Sequence, residues 1–158
     1  MIPAVKEKIS IPVIAAGGIG TGRQMFAAMV LGTSAVQMGS RFIASNESSC
    51  HLNFKKAVIS SQEGDTELCL KKLTPVRLLK NKFYNQVKVA EESNIGVEEL
   101  TQLLGTRRAK KGMFEGNMND GELEIGQVCT LIQSIKPAKD IVNEIWNEYN
   151  VLLIGFRK

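Results

Sequence analysis

Four glycines fall within the eight residues AAGGIGTG, positions 15–22, between an apolar run and a helix-like stretch. Glycine-dense turns let backbone N–H groups approach an anion closely, because no Cβ stands in the way. Two nucleotide motifs use this property, and neither fits. A dinucleotide fingerprint needs glycine at the first, third and sixth positions after a strand. Gly18 and Gly20 supply the first two, but Arg23 stands at the next; starting instead from Gly20, Met25 stands there. A P-loop needs GxxxxGK followed by Ser or Thr. Gly17 and Gly22 have the required gap, yet Arg23 and Gln24 replace the lysine and the magnesium-binding hydroxyl.

A third chemistry is a phosphate cup of the kind found in (β/α)8 barrels, between the loops after strands 7 and 8 and at the positive end of a short helix. Gly17 and Gly18 would let the backbone close on oxygen atoms. Gly39 and Ser40, ending the next strand, would add a second arc of N–H groups and a hydroxyl. An ordinary glycine turn accounts for the local residues equally well.

The elements that would position these groups follow from the pattern of apolar residues. Ile11–Ala16 is short and branched, as expected of a strand buried on both faces. Met25, Phe26, Ala28, Met29 and Val30 predict a helix closed by Gly32, and Ala35–Met38 predicts a second strand. Strand, turn, helix and strand make a βαβ unit, whose two strands run parallel. A helix through Phe54, Ala57, Val58 and Ile59, capped by Ser45 or Asn46, is expected next. Residues 60–96 are mixed and polar, with Pro75 as a breaker. Helices are expected over Val97–Leu104, over Val128–Ile135 and, beyond Pro137, from Ala138 through Trp146. The apolar tail Val151–Phe156 has no evident place to pack.

Composition narrows the class. With 158 residues, 44% of them hydrophobic, the chain can bury a core as one domain. Neither a secretory leader nor a membrane-spanning run is evident, so a cytoplasmic protein is the expectation. Cys50, Cys69 and Cys129 are odd in number, widely spaced and form no CxxC pair, which argues against disulfides and a metal site. The net charge of +4 gathers at Lys71, Lys72, Arg77, Lys80 and Lys82, and again at Arg107, Arg108, Lys110 and Lys111. With few aromatics and no nucleic-acid motif beside them, these charges are expected on solvated faces, and no nucleic-acid or membrane partner is expected.

PVIAAGGIGTG, followed by LGTSAVQMGSRFIASNES, closely resembles the FMN-binding part of the nitronate monooxygenase family, formerly called 2-nitropropane dioxygenases. Flavin-dependent enoyl-acyl-carrier-protein reductases II share this pattern. TPVRLLKNKF and GELEIGQVCTLIQSIKPAKDIV are similar to late segments of the same enzymes, so the likeness covers residues 2–147. It implies an α/β fold: the C-terminal part of a TIM (β/α)8 barrel. Residues 1–60 would hold the last two strands, and residues 61–158 a mainly helical C-terminal region packing on the barrel. It implies FMN as cofactor, with Gly17 and Gly18 binding its phosphate through backbone amides. Gln37, Met38, Gly39 and Ser40 would complete the cup, Ser40 standing where the family often has Thr, with Arg41 in support.

The implied reaction is oxidative denitrification of alkyl nitronates with dioxygen. The alternative is enoyl reduction using FMN and NAD(P)H, and a further one is a truncated, non-enzymatic module. The substrate would be a small molecule. On this likeness the chain starts just before the seventh strand, and the family's catalytic histidine belongs to segments before it. No residue here is therefore assigned a catalytic role, and His51 is expected to be a surface or packing residue. The chain alone is expected to be inactive. Its open strand edges predict poor folding or self-association into a homo-oligomer.

Overall fold

The computed structural model describes residues 1–156. In chain order the elements are α1 (Ile2–Lys6), β1 (Ile14–Ala16), α2 (Gly22–Val30), β2 (Ala35–Gln37), α3 (Ser40–Ile43) and α4 (Leu52–Ser60). There follow β3 (Thr66–Cys69), β4 (Val76–Leu79), α5 (Lys82–Glu92), α6 (Val97–Leu104) and α7 (Ala138–Gly155). A π-turn (Lys110–Phe114) and a 3-10 turn (Gln127–Leu131) lie between α6 and α7. These elements gather into two compact units, residues 1–48 with 134 onward, and residues 49–133. None of the described helices is long and apolar enough to cross a membrane.

The first unit is built on the βαβ motif. β1 and β2 pair in parallel, with Ile14 opposite Ala35, Ala15 opposite Val36 and Ala16 opposite Gln37. Both strands are shorter than the apolar runs that predicted them. β1 is also not buried on both faces: Ile14 is 61% exposed, because a two-stranded sheet gives it a single hydrogen-bonded neighbour and no covering layer on that side. α2 starts with a reciprocal cap that the sequence spells as T-x-x-Q. Thr21 Oγ1 accepts from the Gln24 N–H at 3.1 Å, and Gln24 Oε1 accepts from the Gly20 N–H at 2.8 Å.

α7 closes this unit by packing along α2. Gly22 is the point of closest approach: a Cβ there would lie 2.7 Å from Tyr149 N and 2.7 Å from Glu148 Cβ. The apolar tail continues α7 to Gly155, and the Phe156 ring comes to 5.1 Å from that of Phe26, which lies 5.9 Å from Tyr149. The two stretches of chain that form the unit are joined where Ser45 bridges Lys136 in parallel. Asn46 N–H donates to Lys136 O at 2.9 Å, Lys136 N–H to Ala44 O at 3.2 Å, and Ala138 N–H to the Glu47 carboxylate at 2.8 Å. The last bond caps the start of α7 with a negative charge, where the helix dipole favours it.

The second unit adds strands to the helices expected after residue 60. Its polar stretch holds an antiparallel hairpin, Thr66 opposite Leu79 through Cys69 opposite Val76, followed by α5. The turn preceding β4 contains Pro75, so the residue taken as a breaker marks a hairpin loop. Leu79 N–H to Leu123 O (2.9 Å) and Ile125 N–H to Arg77 O (3.0 Å) add a further extended segment to that hairpin. The core gathers Cys69, Leu70, Leu78, Phe83, Tyr84, Val87 and Leu100. Burial pushes the Cys69 thiol up to about 11, with Glu91 and Glu67 adding to it, so it stays protonated. The helix expected over Val128–Ile135 is only one 3-10 turn, because the backbone opens to an extended conformation at Ile132.

The basic clusters are largely engaged within this unit. Arg108 donates to Leu104 O (2.7 Å), Leu103 O (3.1 Å) and Asp120 O (2.9 Å), satisfying carbonyls at the end of α6, and its guanidinium lies 4.5 Å over the Phe83 ring. Lys72 Nζ donates to Asn94 Oδ1 and Ile95 O, each at 2.7 Å. α4 is capped by His51, not by Ser45 or Asn46: His51 Nδ1 accepts from the Asn53 N–H at 3.1 Å. Imidazole takes the role because it stands directly before the first helical residue, whereas the two earlier residues are spent at the junction with Lys136.

Two outcomes test this packing. Gly22→Ala forces α2 and α7 apart and is expected to lower stability by about 1–3 kcal/mol, the usual cost of overpacking, read as a lower urea midpoint. The second concerns Tyr84, whose hydroxyl donates to the Glu67 carboxylate; this bond is the main cause holding Glu67 below its ordinary value, opposed by desolvation and helped by nearby Lys88, Lys80 and Lys71. A depressed folded-state value stabilises the fold above the unfolded value of about 4.3 and is lost as pH falls through the folded one. The melting temperature of Tyr84→Phe is therefore expected below wild type at neutral pH, with the gap narrowing in acid.

Candidate functional site

The parallel register decides which residues meet. Because Ala16 stands opposite Gln37, the next residues of both strands leave the sheet at its carboxyl end, Gly17 and Gly18 from β1 and Met38, Gly39 and Ser40 from β2. Neighbouring strands lie about 4.8 Å apart, so the two turns are adjacent. All six residues singled out from the sequence (Gly17, Gly18, Gln37, Met38, Gly39 and Ser40) are thus gathered at one edge. Gly17, Gly18, Gln37 and Gly39 are exposed there; Met38 and Ser40 are half-buried.

The glycines at the first turn are required by conformation. Gly17 has φ of +90° and Gly18 +71°, and among the described residues nothing beyond their chain neighbours lies within 4 Å of where either Cβ would stand. Gly39 has an ordinary φ of −95°, also with open space at its Cβ position. Side chains are thus absent at three points of the strand-end edge without any packed neighbour requiring it. Ser40 and Arg41 begin α3, whose first N–H groups point out of the helix start. Ile14, Gly17, Gly18 and Ile19 are among the residues lining an open trough of about 660 Å³, and Met38 lines an apolar pocket of about 270 Å³ with Met25, Phe42 and Trp146.

Arg41 is the residue whose weight the sequence did not convey. It is only 9% exposed. Its Nη2 lies 3.7 Å from Glu144 Oε2, while Nη1 is buried with no hydrogen-bond partner among the described residues. Burial pulls its pKa down, with Glu144 acting in the opposite direction. A buried guanidinium short of acceptors raises the positive potential around the start of α3 and suits an anionic group there. The donor set of open glycine turns, a hydroxyl and this cation fits a phosphate. Its signal in sequence was the adjacency of Arg41 to QMGS, without any cue to burial.

His51 is remote from this chemistry in role as well as in chain position. It caps α4, and a Cβ at Gly116 would lie 2.6 Å from its ring carbons. Among the described residues no group of three His, Cys, Asp or Glu side chains is gathered to hold a metal ion.

The βαβ motif with glycines at both carboxyl ends, carrying a mixed α/β segment between β2 and the last helix, defines an α/β protein. The nitronate monooxygenase family model matches residues 1–148, and the chain belongs to that family, an enzyme family of oxidoreductases. A curated relative from Staphylococcus saprophyticus, described as a probable nitronate monooxygenase, is 33% identical over 155 residues, covering 90% of this chain and 43% of the relative. The solved structure of FabK from Thermotoga maritima overlaps with a TM-score of 0.91 at 36% identity, over 99% of this chain and 50% of that one. Nitroalkane oxidase from Streptomyces ansochromogenes gives 0.77 at 29% identity, over 98% of this chain and 44% of that one. The chain thus spans half or less of the length of these relatives.

Gly18→Ala separates conformation from packing at this site. A Cβ there meets no atom, so the expected loss of stability is the backbone cost alone, about 1–2 kcal/mol for a left-handed L-residue. A chemical-denaturation curve with an unchanged m-value and a lower midpoint is the expected result.

Proposed function

We propose that this chain supplies the FMN phosphate anchor of a flavin-dependent oxidoreductase, as the last two strand–helix units of a TIM (β/α)8 barrel with their flanking region. The observation that carries it is the register of Ala16 opposite Gln37, which brings two glycine turns to one strand end. Gly17, Gly18, Gln37, Met38, Gly39 and Ser40 hold the phosphate through backbone N–H groups, with the Ser40 hydroxyl as a further donor. Arg41 contributes positive potential at the start of α3. FMN, when bound, supplies two-electron redox chemistry; the protein binds, orients and shields it. No residue of this chain is assigned the proton transfer, since His51 already accepts from its own helix.

The reaction proposed is oxidative denitrification of a small alkyl nitronate with dioxygen, in line with the family and with the nitroalkane oxidase overlap. A second reading, enoyl-acyl-carrier-protein reduction with NAD(P)H, is supported by the overlap with FabK. Both share the same phosphate anchor. We place the protein in the cytoplasm, with no nucleic-acid or membrane partner, and with a second copy covering the open edge beside Ile14 as the form that self-association takes.

Titration with FMN, followed by flavin fluorescence, tests the anchor. Wild type is expected to prefer FMN to riboflavin, which lacks the phosphate. Gly39→Ala, at an ordinary φ and without a clash, is expected to keep its melting temperature and lose FMN affinity about tenfold, the scale of one charge-assisted hydrogen bond. Equal affinity of wild type for both flavins would remove the proposal. The reaction itself is read on the complete barrel that this reading implies: with flavin bound and air excluded, bleaching by an alkyl nitronate supports the first reaction, and bleaching by NADH or NADPH the second.

A further inference from the structure

We infer that Glu144 and Glu148 of α7 are positioning residues that set the spacing of the two glycine turns for phosphate; the inference rests on the phosphate-anchor reading above. The two carboxylates are four residues apart and therefore share a helix face, one turn from each other. Each reaches the helix that follows a different half of the cup. Glu148 Oε2 accepts from the Gly22 N–H at 2.7 Å, and its Oε1 lies 3.9 Å from Arg23 Nε, so it holds the start of α2 just beyond Gly17 and Gly18. Glu144 Oε2 lies 3.7 Å from Arg41 Nη2, holding α3 just beyond Gly39 and Ser40. Glu144 is itself tied to Lys136 Nζ.

The fold supports this clamp from both sides. Ile141 and Ile145, buried on the adjacent stripe, seat α7, and the missing side chain at Gly22 lets the two helices close until the Glu148 carboxylate meets a backbone N–H. The same contact decides where an anion goes. The positive end of α2 is already occupied by a carboxylate of the chain, which repels a phosphate from that helix start and leaves the glycine turns to receive it. One rigid helix thus carries, on successive turns, the groups that fix the position of each arc.

The test compares FMN with riboflavin, so that phosphate holding is separated from ring binding and general stability. In Glu148→Ala the ratio of FMN to riboflavin affinity is expected to fall about tenfold, while Glu148→Gln, which keeps an acceptor for the Gly22 N–H, stays within about twofold of wild type. Glu144→Ala is expected to lower the ratio in the same direction. Riboflavin affinity stays unchanged in all three. An unchanged ratio in both alanine variants overturns the inference, and so does an equal loss for the two flavins, which is what simple destabilisation produces. Should circular dichroism show Glu148→Ala to be unfolded, Glu144→Ala decides by the same ratio. A wild-type protein with no preference for FMN fails the anchor reading itself, whereas a wild-type preference retained in every variant sinks the positioning role alone.

Discussion

The parallel pairing of β1 with β2 is the constraint from which the candidate site follows. Two strands running the same way must both end at the same edge, and a register that sets Ala16 against Gln37 makes Gly17 and Met38 the first residues beyond it. Antiparallel pairing, or a slip of two residues, would have separated the glycine turns. The connection is short enough to be spanned by α2 alone, and its cap at Thr21 and Gln24 starts that helix as soon as the glycine turn is complete. Backbone geometry, not any reactive side chain, therefore assembles the groups that could hold an anion.

Around this edge, charge is used sparingly and mostly inward. Arg41 is buried beside a single carboxylate, while much of the remaining positive charge ends on carbonyls or acids of its own unit. Arg108 closes the end of α6, and Asn81 does comparable work at the start of α5, accepting from the Tyr84 N–H at 2.8 Å while donating to Met118 O and Gly121 O. Long polar side chains substitute for regular secondary structure in the segments after α6, where helices are short and many backbone groups lack a ladder partner. A net charge of +4 is consequently a poor guide to what the surface attracts.

How much of this was legible beforehand varied with the physics involved. The βαβ unit was legible because branched apolar runs and glycines are local features; Gly17, Gly18, Gly39 and Ser40 could be marked from that pattern, whereas Gln37 and Met38 were marked only through the family resemblance. α6 and α7 were legible from their apolar spacing. The β3–β4 hairpin was not, since its four-residue strands alternate too briefly to register, and Pro75 suggested only an interruption. α5 carried a usable cue in Asn81 ahead of Phe83, Tyr84 and Val87, an acceptor cap before a buried stripe. The Val128–Ile135 spacing misled because Val128 and Ile132 are both buried without a helix joining them: a 3-10 turn ends at Leu131 and Ile132 is already extended. The burial of Arg41 and the reach of Glu148 to Gly22 depend on α7 returning from more than a hundred residues away, which no window of sequence contains.

The junction at Ser45 and Lys136 has a topological consequence. The two stretches of the first unit that flank residues 49–133 are bonded to each other at one bridged pair, reinforced by Ala44, Asn46 and Glu47. The chain therefore leaves and re-enters this unit at neighbouring points, however long the excursion between them. β1, α2 and β2 stand in one continuous stretch, and only the covering helix α7 is borrowed from the far side of that excursion.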